Sequence, residues 1–266
     1  MTQDEIEEIA RNWTGKGSAR NVDAETFMRA CASGDTDFVR AALEHDKSLA
    51  DAKGGLSIIS HIAIEAARRY LTSAKGEGGI TPLMLAAVQG HKDIAKLLIE
   101  NGADIAAVNE DNVTPLMGAV IGNHIDIARL LIENKADLET KNGEDKTALT
   151  LAVTEGHYEV AKLLAESGAD VNTYIEGFSL LMMACAKGWG NMAELLIKNG
   201  ADVNKSDISG RTALMFACLT GNFDMVKLLV ENGTTIARRS AYGETAFAIA
   251  VAKGFSEIAF YLQSKA

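Results

Sequence analysis

Residues 81 to 111 read TPLMLAAVQGHKDIAKLLIENGADIAAVNED, and close versions of this stretch occur five more times along the 266-residue chain. Threonine or serine opens the copies at Thr81, Thr114, Thr147, Ser179, Thr212 and Thr245, giving steps of 33, 33, 32, 33 and 33 residues. A period of this length indicates an array of small stacked units rather than one globular core. Within the unit, Thr81 can cap a helix whose first residue is Pro82, where a missing amide is tolerated. Leu83, Ala86 and Ala87 supply an apolar face, Gly90 ends the helix, and Ile94, Leu97 and Leu98 define a second one. Gly102 stands where a left-handed residue terminates that helix, and a polar hairpin-like segment leads to the next threonine. A helix pair this short cannot bury its apolar residues alone, so each copy must stack on its neighbours.

Thr81-Pro82-Leu83, Leu85-Ala86-Ala87, Gly90-His91, Leu97-Leu98 and Gly102-Ala103-Asp104, echoed in every later copy, resemble ankyrin repeats. The resemblance implies an all-α fold: an ankyrin-repeat solenoid of stacked helix-turn-helix units with hairpin-like loops. One departure recurs. The histidine that follows Thr-Pro-Leu in the family is replaced by Met84, Met117, Thr150, Met182, Met215 and Ala248, which implies flexible apolar packing where the family has a polar network. Lys135 replaces the glycine found at Gly102, Gly168, Gly200 and Gly233, a strained choice if the turn is kept. The fifth copy is one residue short between Asn172 and Ser179, which predicts a hairpin of different shape.

The organisation expected is one elongated domain in four parts. Residues 1–24 form an N-terminal capping helix, with Ile6, Ile9, Ala10 and Trp13 on one face, followed by a linker. Gly15-Lys16-Gly17-Ser18 lacks the glycine spacing and preceding strand of a phosphate loop. Residues 25–45 are a divergent first repeat. The step from Cys31 to its equivalent Ala87 is 56 residues, so 46–79 is an insertion, with an extra helix over 56–73. Residues 80–266 hold six repeats including a C-terminal cap, where Gln263 replaces Ile99, Ile132, Ile197 and Val230. Phe260 occupies a position elsewhere filled by Lys96, Arg129, Lys162, Glu194 and Lys227, so it is a cap contact or a surface for association.

Apolar content of 47% contains no run long enough to span a membrane, and the acidic N-terminus lacks the features of a secretory signal, so the expected location is cytoplasmic. A net charge of −10 disfavours nucleic acid and anionic membranes as partners and favours another protein with a neutral or basic surface containing apolar groups. Cys31, Cys185 and Cys218 share the slot held by Ala87, Val120, Val153 and Val251, a small apolar position. Packed helices lie about 8–10 Å apart, too far for equivalent cysteines to bridge.

No catalytic, metal or cofactor motif is present, and the expectation is a chain that is not an enzyme and needs no cofactor. His91, His124 and His157 recur at one turn position and are read as structural, bonding turn backbone. His61 and Glu65, four residues apart on the inserted helix, are the remaining enzymatic alternative. The resemblance places partner contacts at the hairpin tips and late in the first helices, as at Val88, Ile121 and Leu219. Of the tips, Glu110, Asp111 and Glu144 are acidic, whereas Tyr174, Ile175, Phe178, Ile208 and Tyr242 are unusually apolar for turns. These residues, with Ile121 and Leu219, form the expected partner-binding set. The function expected is a monomeric protein-protein interaction scaffold that binds a partner through its concave face and hairpin tips. The alternative is self-association through Phe260, the N-terminal helix or the inserted helix.

Overall fold

The computed structural model describes residues 22–53 and 79–265, which fall into two units divided between Glu144 and Asp145. The N-terminal capping helix, the inserted helix and the pair His61 and Glu65 lie outside the described residues.

The first unit contains α1 (Ala24–Ser33), α2 (Thr36–His45), a 3₁₀ turn (Lys47–Asp51), α3 (Pro82–Gln89), α4 (Lys92–Glu100), α5 (Pro115–Ile121) and α6 (Ile125–Glu133). The first helices stack, with α3 between α1 and α5, while each second helix packs against its own first helix. That is why α3 is buried from Pro82 to Val88, whereas α4 keeps an apolar stripe of Ile94, Ala95, Leu97 and Leu98 and turns Lys92, Asp93 and Lys96 to solvent. Asp51 at the end of the 3₁₀ turn accepts a hydrogen bond from the Asp104 amide at 2.8 Å, tying the segment after α2 to the second copy.

The second unit contains α7 (Ala148–Thr154), α8 (Tyr158–Glu166), β1 (Tyr174–Ile175), β2 (Phe178–Ser179), α9 (Leu180–Lys187), α10 (Gly190–Lys198), α11 (Ala213–Thr220), α12 (Phe223–Glu231), α13 (Ala246–Ala252) and α14 (Ser256–Lys265). Here α7, α9, α11 and α13 stack in order, and α8, α10, α12 and α14 form the second row.

Threonine and serine cap the first helices: Thr81, Thr114, Thr147, Ser179 and Thr245 each accept from the amide three residues on, and Thr212 alone among these positions does not. The methionines that stand in place of the family histidine are sealed in the stack, with Met84, Met117, Met182 and Met215 at 0 or 1% exposure. They fill apolar space as the sequence implies. Thr150 is equally buried and satisfies its hydroxyl on the Thr147 carbonyl at 2.8 Å.

The turn histidines do more than serve their own turns. His91 Nε2 lies 3.0 Å from the Ala32 carbonyl and His124 Nε2 lies 3.0 Å from the Val88 carbonyl, so each reaches back to the end of the preceding copy's first helix. Their rings lie on the glycines that end those helices. A Cβ on Gly34 would sit 2.7 Å from His91, and one on Gly90 2.5 Å from His124; both glycines also have positive φ, so two independent constraints exclude a side chain. In the second unit Phe255 covers Gly221 in the same way and Trp189 rests on Gly156. Desolvation is the main cause that holds the His124 imidazole below its ordinary pKa, with His91 nearby adding to it against the opposing hydrogen bond that the ring donates to the Val88 carbonyl.

A second recurring device shapes the hairpins. Asn109, Asn142, Asp207 and Ser240, each five residues before the capping threonine, are 6 or 7% exposed and accept bonds from amides inside their own turns. The Asp207 carboxylate takes the Ser209 and Arg211 amides, both at 2.8 Å, and the Arg211 guanidinium at 2.8 Å. The short fifth copy has Tyr174 at this position and forms a different turn: β1 and β2 pair antiparallel across Glu176 and Gly177, both at positive φ, as a two-residue hairpin requires.

Lys135 has φ of +70° and donates its amide to Ile132, so the left-handed turn is kept without glycine. Its side chain is exposed and Lys135→Gly removes only strain, offset in part by greater freedom of the unfolded chain. The variant should be more stable by about 0.5–1 kcal/mol in urea unfolding; an unchanged or lower midpoint contradicts this. Asp207→Ala should act in the opposite sense, by about 2–3 kcal/mol, because it strands two turn amides and the Arg211 guanidinium. A loss no larger than that of an exposed surface substitution would show that the carboxylate does not hold the turn.

Candidate protein-binding surface

The tips of the second unit are fixed to one another. Asn172 accepts from the Asp202 amide at 2.9 Å and donates to the Gly200 carbonyl at 2.9 Å; one copy later Asn204 accepts from Thr235 at 2.7 Å and donates to Gly233 at 3.2 Å. At the turns, the Ala241 amide donates to Ser209 at 2.8 Å, and a Cβ on Gly177 would lie 3.6 Å from the Ile208 side chain. Three successive tips therefore make one continuous ridge. Ile208 is 95% exposed, Tyr242 76% and Tyr174 40%. An isoleucine this exposed is not holding its own turn together, since Asp207 does that work.

Other members of the expected set sit differently. Ile175 is 6% exposed, because the Glu176–Gly177 turn folds its side chain inward, and Phe178 is half-buried, packed edge-on to Phe216 with ring centroids 5.7 Å apart. Both stabilise the hairpin they belong to. Ile121 and Val88, at the ends of α5 and α3, are 4 and 0% exposed, since apolar groups at those positions gain more from packing than from facing water. A partner meeting the folded chain cannot reach Ile121, Ile175 or Val88. Leu219 is half-buried on α11.

The first unit's tips have another character. Glu110 and Glu144 are exposed and Asp111 is half-buried, and the Asp111 carbonyl receives the Gly143 amide at 2.7 Å, so these acids also lie on adjoining hairpins. Three cations on the second unit's hairpins, Lys205, Arg238 and Arg239, were not singled out in the sequence. Arg238 aligns with Lys205 one repeat later, which was the available signal.

The arrangement offers little to chemistry. Cys31, Cys185 and Cys218 are fully buried, and burial pushes the Cys185 and Cys218 thiols up to about 12, far from a reactive thiolate. Among the described residues no group of three or more histidine, cysteine, aspartate or glutamate side chains could hold a metal ion. A depression of about 610 Å³ lined by Glu155, Tyr158, Trp189, Asn191 and Met192 lies beside the turns of α7–α8 and α9–α10. No helix among the described residues is long and apolar enough to cross a membrane.

Comparison with known proteins agrees with this architecture. A family model described as ankyrin repeats (3 copies) matches residues 6–142, 83–175 and 181–266. No curated protein matches. Among solved structures, the chain is 32% identical to a chain in the complex of the Bd0816 predatory endopeptidase from Bdellovibrio bacteriovorus with immunity protein Bd3460. That match covers 69% of this chain and 97% of the other, with a TM-score of 0.60. The ankyrin repeat domain of Bcl-3, described as a unique member of the IkappaB protein family, is 24% identical over 87% of this chain and 96% of its own, with a TM-score of 0.69, and speaks to fold alone. With the recurring helix pairs, their capping threonines and the hairpin ridge all in place, the chain belongs to the ankyrin-repeat family.

Proposed function

We propose that this chain is a non-catalytic scaffold that binds a folded protein in the cytoplasm, and that its hairpin tips make the decisive contacts. The observation that carries the reading is the ridge of Tyr174, Ile208 and Tyr242, large apolar side chains held outward on turns whose own stability comes from other residues. Exposed aromatic and apolar anchors on a rigid support are what an interface needs, since little ordering entropy is lost on binding. The similarity to a chain from an endopeptidase–immunity protein complex supports a folded protein as the partner class. In the first unit, taken by itself, Glu110, Asp111 and Glu144 lie on adjoining hairpins and suit a basic protein surface.

One observation favours a second reading, self-association. Phe247 and Val251 on α13 are 39 and 55% exposed, although their equivalents Leu83, Leu116, Leu149, Leu181 and Leu214, and Ala87, Val120, Val153, Cys185 and Cys218, are all at 0 or 1%. Phe260 nearby in sequence on α14 is 75% exposed. The last described copy thus presents a stacking face to solvent.

Capture from source-cell lysate separates these readings, using the wild-type chain and an Ile208→Asp, Tyr242→Asp variant with the same helical content and unfolding midpoint. The scaffold reading predicts a protein retained by the wild type and lost by the variant. Equal retention removes the ridge from the contact surface. If nothing is retained and light scattering gives a mass that rises with concentration and falls in Phe260→Lys, self-association replaces it.

A further inference from the structure

The partner that the ridge selects can be named by its charge. In a chain of net charge −10, three cations gather on two consecutive hairpins of the second unit: Lys205, Arg238 and Arg239. Among the described residues none of them forms an ion pair with a carboxylate. Each is instead anchored to neutral oxygen. Lys205 Nζ donates to the Asn172 carbonyl at 2.6 Å and lies 4.7 Å from the centre of the Tyr174 ring. Arg238 donates to the Asn204 carbonyl at 3.4 Å and the Ser206 hydroxyl at 3.2 Å, and Arg239 donates to the Gly243 carbonyl at 2.9 Å. The Tyr174 hydroxyl also donates to Ser206, at 3.4 Å, so one backbone segment connects ring, lysine and arginine.

Such anchoring fixes long side chains that otherwise lose much rotamer freedom on binding, and it leaves further N–H donors on both guanidinium groups. The fourth cation of these tips, Arg211, is taken by Asp207 and adds no free charge. Glu176 and Glu244 are exposed on the same tips, and Asp202, three residues before Lys205, is exposed at the base of the middle one. Glu176 sits at the turn of the fifth copy, and Glu244 follows Gly243, whose carbonyl takes the Arg239 guanidinium.

We propose that the ridge binds a segment of the partner protein in which carboxylates flank a large apolar side chain: the apolar group packs on Ile208 and Tyr242, and the carboxylates meet Arg238, Arg239 and Lys205. This rests on the scaffold reading and specifies what the second unit's tips recognise. Charge-assisted, bidentate pairing to arginine supplies direction, and the exposed isoleucine supplies area. A nucleic acid is the competing occupant of any surface that combines arginine and tyrosine. The overall negative charge opposes an extended phosphate backbone, whereas a short acidic segment need reach only Arg238, Arg239 and Lys205.

The test is selection of a displayed random-peptide library on the full chain, repeated on Arg238→Glu, Arg239→Glu and on Ile208→Asp, each matched to wild type in circular dichroism and unfolding midpoint. Enriched peptides should combine aspartate or glutamate with a large apolar residue. They should lose affinity by about tenfold or more on either variant and weaken as salt is raised. Enrichment of lysine-rich or uncharged peptides, binding to either variant as tight as to the wild type, or no enrichment overturns the assignment. So does a labelled poly-uridine strand that binds the wild type and is released by the arginine reversal. Peptides retained equally by all three proteins would leave the scaffold reading standing, and only the lysate capture bears on that reading directly.

Discussion

No helix pair in this chain can bury its own apolar face, and that shortage governs the rest of the structure. α3 is buried along nearly its whole length because α1 lies on one side of it and α5 on the other. A surface helix could not carry Leu83, Met84, Leu85, Ala86, Ala87 and Val88 in succession, yet here all six are sealed. The turn between the helices carries the same dependence. At four of these turns His91, His124, Trp189 or Phe255 rests on a glycine at the end of the preceding copy's first helix, so those copies complete the ones before them. Where a stacking face meets solvent, at Phe247 and Val251, the same side-chain chemistry becomes exposed surface.

Stacking at this spacing also dictates where function can reside. With the helices occupied in burying one another, the hairpins are left to face outward, and the bonds of Asn172 and Asn204 lock each to the next. Asn109, Asn142, Asp207 and Ser240 hold the turns from within, which frees the tip residues from structural duty. Ile208 and Tyr242 are exposed on turns that other residues hold together. The tips of the first unit use the same scaffold to present carboxylates instead.

Much of this was legible in the sequence because it repeats. Six copies in register exposed the period, the capping threonines, the buried methionine slot, the left-handed turn at Lys135 and the unusual fifth hairpin, each by comparison with its equivalents. The candidate site was legible only in part. Composition marked Tyr174, Ile175, Phe178, Ile208 and Tyr242 alike as apolar turn residues, but a two-residue turn directs Ile175 inward and Phe178 onto Phe216, and only coordinates distinguish these from Ile208. The period likewise marked Ile121 as a late helix position without showing that packing covers it. The cations of the second unit were hidden by the net charge of −10, since a sum over the chain conceals local gatherings. The bonds of His91 and His124 to the preceding copy span 59 and 36 residues, beyond what local pattern reveals.

The central claim is that the chain recognises a protein through the tips of its second unit. Amide hydrogen exchange of the full chain, with and without the protein it captures, tests it most directly. The account predicts that protection on binding concentrates at residues 205–211 and 238–244, while the buried first helices, already protected by stacking, change little. Protection confined to the second helices of the repeats, with both tips unchanged, would contradict it.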